Sequence, residues 1–518
     1  MYLKKLPILI FLFLAAVIFT PRAGATAIAD FMPPKQLALI KNIKSVKTTG
    51  SVELGGLSGE TEVIFAVPDK IYNITDLGIL KLTQAYNGRT AWMEDQNGQT
   101  LELTGMEKKN MITGAYMAGM SYLFDDRMPG TVTFLKDTAL NETGYKLFLA
   151  FPKYGDSLWL FINVNNGRLE VVREKLDEID VVTYMSDFRE IDGIEVPFVN
   201  RTESNIPQLN AVIRTTSVEF NVPVPQSLFQ MTAGGEKDYL FPDNKDSVIM
   251  PFELFAGHIY IEASVNGSPV KKFILDSGAG TNVLDRELSD KIGLVPTGEL
   301  PAKGVAGYGT AAVADIDSLN VGGIKLYNQI SAIVDLSDIR ASTAENFGGI
   351  VGFDLLQRFP FRLDFKKNSL IFYNPDTFVP PDSNFAVDFE LHLKVPLVQA
   401  QYGNITGRFL VDFGNALGLI LHKSFVDKNK LDSTFSEIKK MERGVGGVGG
   451  QSEAYAAVGT VFKVGPAEII KPTLMVAGGS GGLMDSREVD GNIGNLMLRD
   501  FSVLMYYKNK KMYILPVL

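Results

Sequence analysis

The feature that most constrains this chain is a pattern it uses twice. Lys272-Phe273-Ile274-Leu275-Asp276-Ser277-Gly278 is matched 136 positions later by Arg408-Phe409-Leu410-Val411-Asp412-Phe413-Gly414. Gly349-Ile350-Val351-Gly352, followed by Leu355-Leu356, is matched 142 positions later by Gly491-Asn492-Ile493-Gly494, followed by Met497-Leu498. Each copy closes on a similar strand-turn-strand, at Lys366-Lys367-Asn368-Ser369 and at Lys508-Asn509-Lys510-Lys511. Equivalent positions of two pseudo-twofold copies meet near the axis. The repeat therefore predicts a two-lobed unit in which Asp276 and Asp412 face each other.

An apolar run that ends in Asp-Ser-Gly has a physical purpose. A buried strand holds the loop rigid, and glycine lets the backbone turn back and aim its amides at the carboxylate. Two carboxyl groups in contact cannot both ionise, so the pair keeps one proton and offers an acid and a base together. Such a pair can activate water against an amide carbonyl without a metal or a nucleophilic side chain. The composition agrees. With no cysteine, the chain has no disulfide, no thiolate zinc site, no cysteine nucleophile and no lipidation at an N-terminal cysteine. The three histidines, His258, His392 and His422, are scattered and are expected to be structural. Neither metal nor cofactor is expected. The net charge of -9 and the lack of a basic run speak against nucleic acid as a partner.

At the N-terminus, Lys4 and Lys5 precede an apolar stretch from Leu6 to Phe19, and Ala25-Thr26-Ala27 offers a small-x-small cleavage site. This is the layout of a secretory signal peptide over 1–27, with an uncleaved anchor as the alternative. The expectation is an exported protein, periplasmic or extracellular, and not a lipoprotein. From about 45 to 220 the chain reads as short strands punctuated by turns such as Asn87-Gly88, Asn97-Gly98 and Asn166-Gly167. Met106 to Phe124 breaks that pattern with apolar residues at helical spacing, and a further helix is expected around Pro34 to Ile43. Residues 222–250 carry Pro223, Pro225, Gly234-Gly235 and Pro242 with little periodicity and read as a linker. The expected organisation is a β domain over 28–221, the linker, a first lobe over 251–375 and a second over 376–518.

The front region resembles the outer-membrane lipoprotein-carrier (LolA-like) family. The resemblance lies in Tyr86-Asn87-Gly88-Arg89-Thr90-Ala91-Trp92-Met93, the Gly98 to Leu103 strand, the methionine-rich helix and the hairpin from Met185 to Pro197. It implies an antiparallel half-barrel plugged by helices, with a lipid or lipoprotein as a possible ligand. The repeat region resembles the retropepsin-like, bilobal aspartic proteases. Here the signature is Phe273-Ile274-Leu275-Asp276-Ser277-Gly278-Ala279-Gly280-Thr281, with Ile350-Val351-Gly352 as the element behind the loop. By this resemblance Asp276 and Asp412 are the catalytic pair, and Ser277, Gly278, Phe413, Gly414, Gly352 and Gly494 support the loops. Flaps would carry Gly307, Tyr308 and Gly309 in the first lobe and Gly446 and Gly449 in the second. The implied fold is mainly β, the implied activity is endopeptidase, and the implied substrate is a peptide or protein.

One position departs from the family. Phe413 stands where a Ser or Thr hydroxyl would tie the second loop to the first, and phenylalanine offers no hydrogen bond. A non-catalytic binding protein for lipid, lipoprotein or peptide, on a degenerate protease fold, is therefore the alternative. Two glycine-rich runs are decoys. Gly444 to Gly449 fits a dinucleotide fingerprint without its strand-helix setting, and Gly478 to Gly482 fits a nucleophile elbow without its strand.

Overall fold

The computed structural model describes residues 27–124, 126–177, 179–232, 237–303, 308–337, 339–340, 346–441, 445–447, 450–477 and 486–516. The expected signal segment, apart from Ala27, and flap residues Gly307 and Gly449 lie outside them. The chain divides into two compact units, one ending at residue 235 and one beginning at residue 236. Among the described residues no helix is long and apolar enough to cross a membrane, and no cluster of His, Cys, Asp and Glu could hold a metal.

The first unit is a 13-stranded antiparallel sheet. Its first strand, Ser45–Leu54, pairs antiparallel with its last, Ala211–Phe220, with one register shift between Thr49 and Gly50, so both lie at the middle of the sheet. The two free edges are consequently the sixth and seventh strands, Thr100–Leu103 and Gly130–Leu140. Helix α2, Gly105–Ala118, joins those two edges and has to cross the sheet face to do so. Its composition suits that path. Met111, Ile112, Ala115, Tyr116, Met117 and Ala118 are all buried, so the second half is apolar on every side, as a helix enclosed by other elements must be. Helix α1, Pro34–Lys41, begins with the proline that sequence reasoning placed there. The Arg127 guanidinium donates to the Ile40 carbonyl at 2.6 Å and to the Gly119 carbonyl, closing the C-terminal ends of both helices. A cavity of about 10 Å3, lined by Met32, Met120 and Leu169 among others, is too small for more than one water molecule.

The second unit is also mainly β. In its first lobe Lys271–Leu275 runs parallel to Phe347–Val351, with Leu275 opposite Val351, and Val283–Asp285 pairs antiparallel with that same strand. The second lobe is built alike: Ile405–Val411 runs parallel to Gly491–Ile493, with Val411 opposite Ile493, and Leu419–His422 is antiparallel to it. The lobes are joined edge to edge where Phe361–Asp364 pairs with Ser502–Tyr506.

Two expectations need correction. Residues 222–250 are not a free linker: Gln226–Phe229 forms a 3-10 turn whose Phe229 is buried and accepts from the Trp92 indole, 3.1 Å away. Further on, Tyr239–Leu240 pairs with Ile324–Val334, and Ser247–Pro251 pairs with Ser369–Tyr373. The apolar contacts that hold these segments come from distant sequence, so local composition does not reveal them. The second correction is one of length: Gly130–Leu140 runs for 11 residues, where short strands are expected.

Candidate active site

Both aspartates sit one residue beyond a buried strand. The Asp276 amide donates to the Val351 carbonyl at 2.9 Å, and the Asp412 amide donates to the Ile493 carbonyl at 3.0 Å, so each loop is pinned to the strand behind it. Each carboxylate then accepts from its own loop: Gly278 N–H to Asp276 Oδ1 at 2.7 Å, and Gly414 N–H to Asp412 Oδ1 at 2.9 Å. The two glycines face the opposite carboxylate. A Cβ on Gly278 would collide with Asp412, and one on Gly414 would collide with Asp276. Gly352 and Gly494 back the loops equally closely, since a Cβ on Gly352 would lie 2.5 Å from the Thr281 carbonyl oxygen and one on Gly494 would strike Leu417.

The two carboxyl groups face each other, each lying against the glycine of the opposite loop. Loss of hydration and the neighbouring Asp412 charge push the Asp276 carboxyl up to about 7. The protons of such a pair leave in two steps that belong to the pair. Tyr507, buried among Phe353, Phe361 and Phe389, is held neutral because burial and both aspartates raise its phenol.

The loop brace exists in half. Ser277 is fully buried; its hydroxyl donates to the Val411 carbonyl at 2.9 Å and accepts from the Phe413 N–H at 2.9 Å. The reciprocal hydroxyl is absent because residue 413 is phenylalanine, whose buried ring packs edge-on to Phe361 at 6.1 Å. Two asparagines that sequence reasoning passed over hold the second loop instead. Asn495 Nδ2 donates to the Phe413 carbonyl at 2.7 Å and to the Gly257 carbonyl at 2.9 Å, joining second lobe to first. Asn492 Nδ2 donates to Asp412 Oδ2 at 2.7 Å, and Asn415 Nδ2 donates to Asn492 Oδ1 at 2.8 Å. Asn415 also gives its backbone N–H to Asp412 Oδ1 at 3.1 Å. The signal was present in the repeat: Asn492 occupies the position of Ile350, and a buried amide in an apolar strand calls for a partner.

His258 is also nearer the site than its position in the sequence implied. Burial pushes its imidazole down towards the neutral form, against the pull of Asp412. Of the expected flaps, Tyr308 and Gly309 begin the strand Tyr308–Val321, which pairs back on Gly298–Lys303. Gly446 lies in the short hairpin of Val445–Gly447 with Gly450–Ser452.

A family model described as an aspartyl protease matches residues 261–355. That span carries Asp276, Ser277, Gly278 and Gly352, so over it the chain is similar to an aspartyl protease. No curated protein matches the chain. Solved structures similar to it include a DUF1329 family protein from Desulfovibrio piger, 13% identical, covering 39% of this chain and 95% of that chain with a TM-score of 0.28. Another is the LolA superfamily protein NE2245 from Nitrosomonas europaea, 12% identical, covering 40% of this chain and 98% of that chain with a TM-score of 0.29.

Proposed function

We propose that the second unit is an aspartic-type endopeptidase that hydrolyses peptide bonds by direct attack of water. The observation that carries this reading is the Asp276–Asp412 pair itself: two carboxyl groups at equivalent strand ends, each against the other's loop glycine, with burial and the Asp412 charge pushing the Asp276 carboxyl up to about 7. A proton-sharing pair can take a proton from water with one carboxylate while the other carboxyl donates to the carbonyl oxygen. Asn492 and Asn495 supply the bracing that Phe413 withholds, which weakens the case for a degenerate, purely binding protein. By the family's pattern, the hairpins of Gly298–Lys303 with Tyr308–Val321 and of Val445–Gly447 with Gly450–Ser452 would cover a bound peptide and exclude solvent. The substrate is then an extended peptide or protein segment, met after export.

For the first unit the proposal is a lipid or lipoprotein ligand. Helix α2 lies on the sheet face with Met111, Ile112, Met117 and Tyr116 buried, and this apolar layer between helix and sheet is where an acyl chain would be held.

The peptidase reading is tested by incubating the full chain with a broad peptide library in H218O near pH 5.5. Cleavage should place one 18O in each new carboxyl group, and Asp276→Asn should abolish it, because an amide is neither a base nor a proton-sharing partner. Equal background from the wild type and Asp276→Asn would reject the peptidase and leave the binding alternative.

A further inference from the structure

The two lobes treat their aspartates unequally. Asp412 accepts three N–H donors: the backbone amides of Gly414 and Asn415 on Oδ1, and the Asn492 side chain on Oδ2. In the first lobe the residue equivalent to Asn492 is Ile350, which offers no donor, and the residue equivalent to Asn415 is Ala279. Asn492 is 6% exposed, and its orientation is set by Asn415 Nδ2 on its Oδ1, which leaves Nδ2 to face the carboxylate. Hydrogen bonds donated to a carboxylate favour its charged form, and a carboxyl group without them keeps the proton of the pair.

We infer that Asn492 is a positioning residue that polarises the pair, fixing Asp412 as the base towards water and Asp276 as the acid towards the carbonyl. The inference rests on the peptidase reading and gives its two carboxyl groups separate roles. In the first step the water oxygen bonds to the carbonyl carbon, one water proton passes to Asp412, and the carbonyl π pair moves onto oxygen, which takes the Asp276 proton. In the second step the C–N bond breaks with its electron pair on nitrogen, which takes the proton from Asp412. One hydroxyl of the tetrahedral intermediate returns its proton to Asp276. The pair ends as it began, and the products are a carboxylic acid and an amine.

The test compares wild type with Asn492→Ile, which gives the second lobe the residue the first already has, and with Asn415→Ala, which removes the group that orients Asn492. Full chain labelled with 13C at the aspartate carboxyls is titrated by NMR, and Asp276→Asn and Asp412→Asn assign the resonances. In the wild type the titration near neutrality should belong to Asp276. In Asn492→Ile it should spread over both carboxyls, and the acid limb of kcat/KM should move up by about one pH unit with KM unchanged. Asn415→Ala should move both in the same direction by less. A variant that melts as the wild type does and keeps the Asp276 assignment and the acid limb unchanged would overturn the inference. If Asn492→Ile does not fold, Asn415→Ala decides by the same readouts. If the wild type hydrolyses nothing, the peptidase reading falls, and the titration alone still decides what Asn492 does.

Discussion

At the scale of single residues, Phe413 and Asp276 have opposite relations to stability. Phe413 is fully buried against Phe361, so Phe413→Thr removes core packing and should cost about 3 kcal/mol, read as a lower denaturant midpoint. It should not raise turnover, because Asn492 and Asn495 already hold the loop that a hydroxyl would brace. Asp276 carries a functional liability. Its carboxyl titrates near 7 in the folded protein and ordinarily near 3.8, so between those values the unfolded chain holds fewer protons than the folded one. Stability attributable to this group is therefore lost as pH rises from about 4 to 7. Asp276→Asn should melt higher than wild type at pH 8 and nearly level with it at pH 3.5. The two aspartates were legible from the sequence because strand, Asp and Gly recur at a fixed offset. Asn492 was not, since one amide inside Gly491–Ile493 looks like an accident until its partner is seen. His258 was set aside for a similar reason: nothing in its local sequence points to a loop more than 150 positions away.

At the scale of elements, helix α2 and the strands around it present a second titratable strain. Glu174, in the strand Leu169–Leu176, is 3% exposed, and burial, with the Asp156 charge beside it, pushes its carboxyl up to about 8. Asp156 is linked to the helix through its own N–H, which donates to the Thr113 hydroxyl at 2.8 Å. The sign is the same as for Asp276: the folded form holds its proton where the unfolded one releases it, so stability falls between about pH 4.5 and 8. Glu174→Gln should raise the melting temperature by ~5 °C at pH 9 and barely at pH 4, measured by circular dichroism. Arg127→Ala should lower it at every pH, because the buried Ile40 and Gly119 carbonyls lose their donor. The helix was legible in the sequence from its apolar spacing and methionines. Its role as the link between the two sheet edges was not, because that follows from the pairing of Ser45–Leu54 with Ala211–Phe220 across more than 150 positions. The strand Gly130–Leu140 is mostly exposed on both faces, so no inward-outward alternation marks its extent.

At the scale of the whole molecule, the chain holds two compact units with different demands. One packs a helix against a 13-stranded sheet; the other sets two carboxyl groups against each other. The mainly β architecture was legible because turn signals and alternating strands are local. The stretch 222–250 was not, because Phe229 owes its burial to Ile64, Ala66 and Tyr72, more than 150 positions away. The proton-sharing pair is the property on which the function depends, and the pH–rate profile of peptide hydrolysis tests it most directly. With the Asp276 carboxyl near 7, kcat/KM should be bell-shaped, with a basic limb close to pH 7, and should vanish in both Asp276→Asn and Asp412→Asn. Hydrolysis that rises steadily through pH 9, or that survives either substitution, would contradict it.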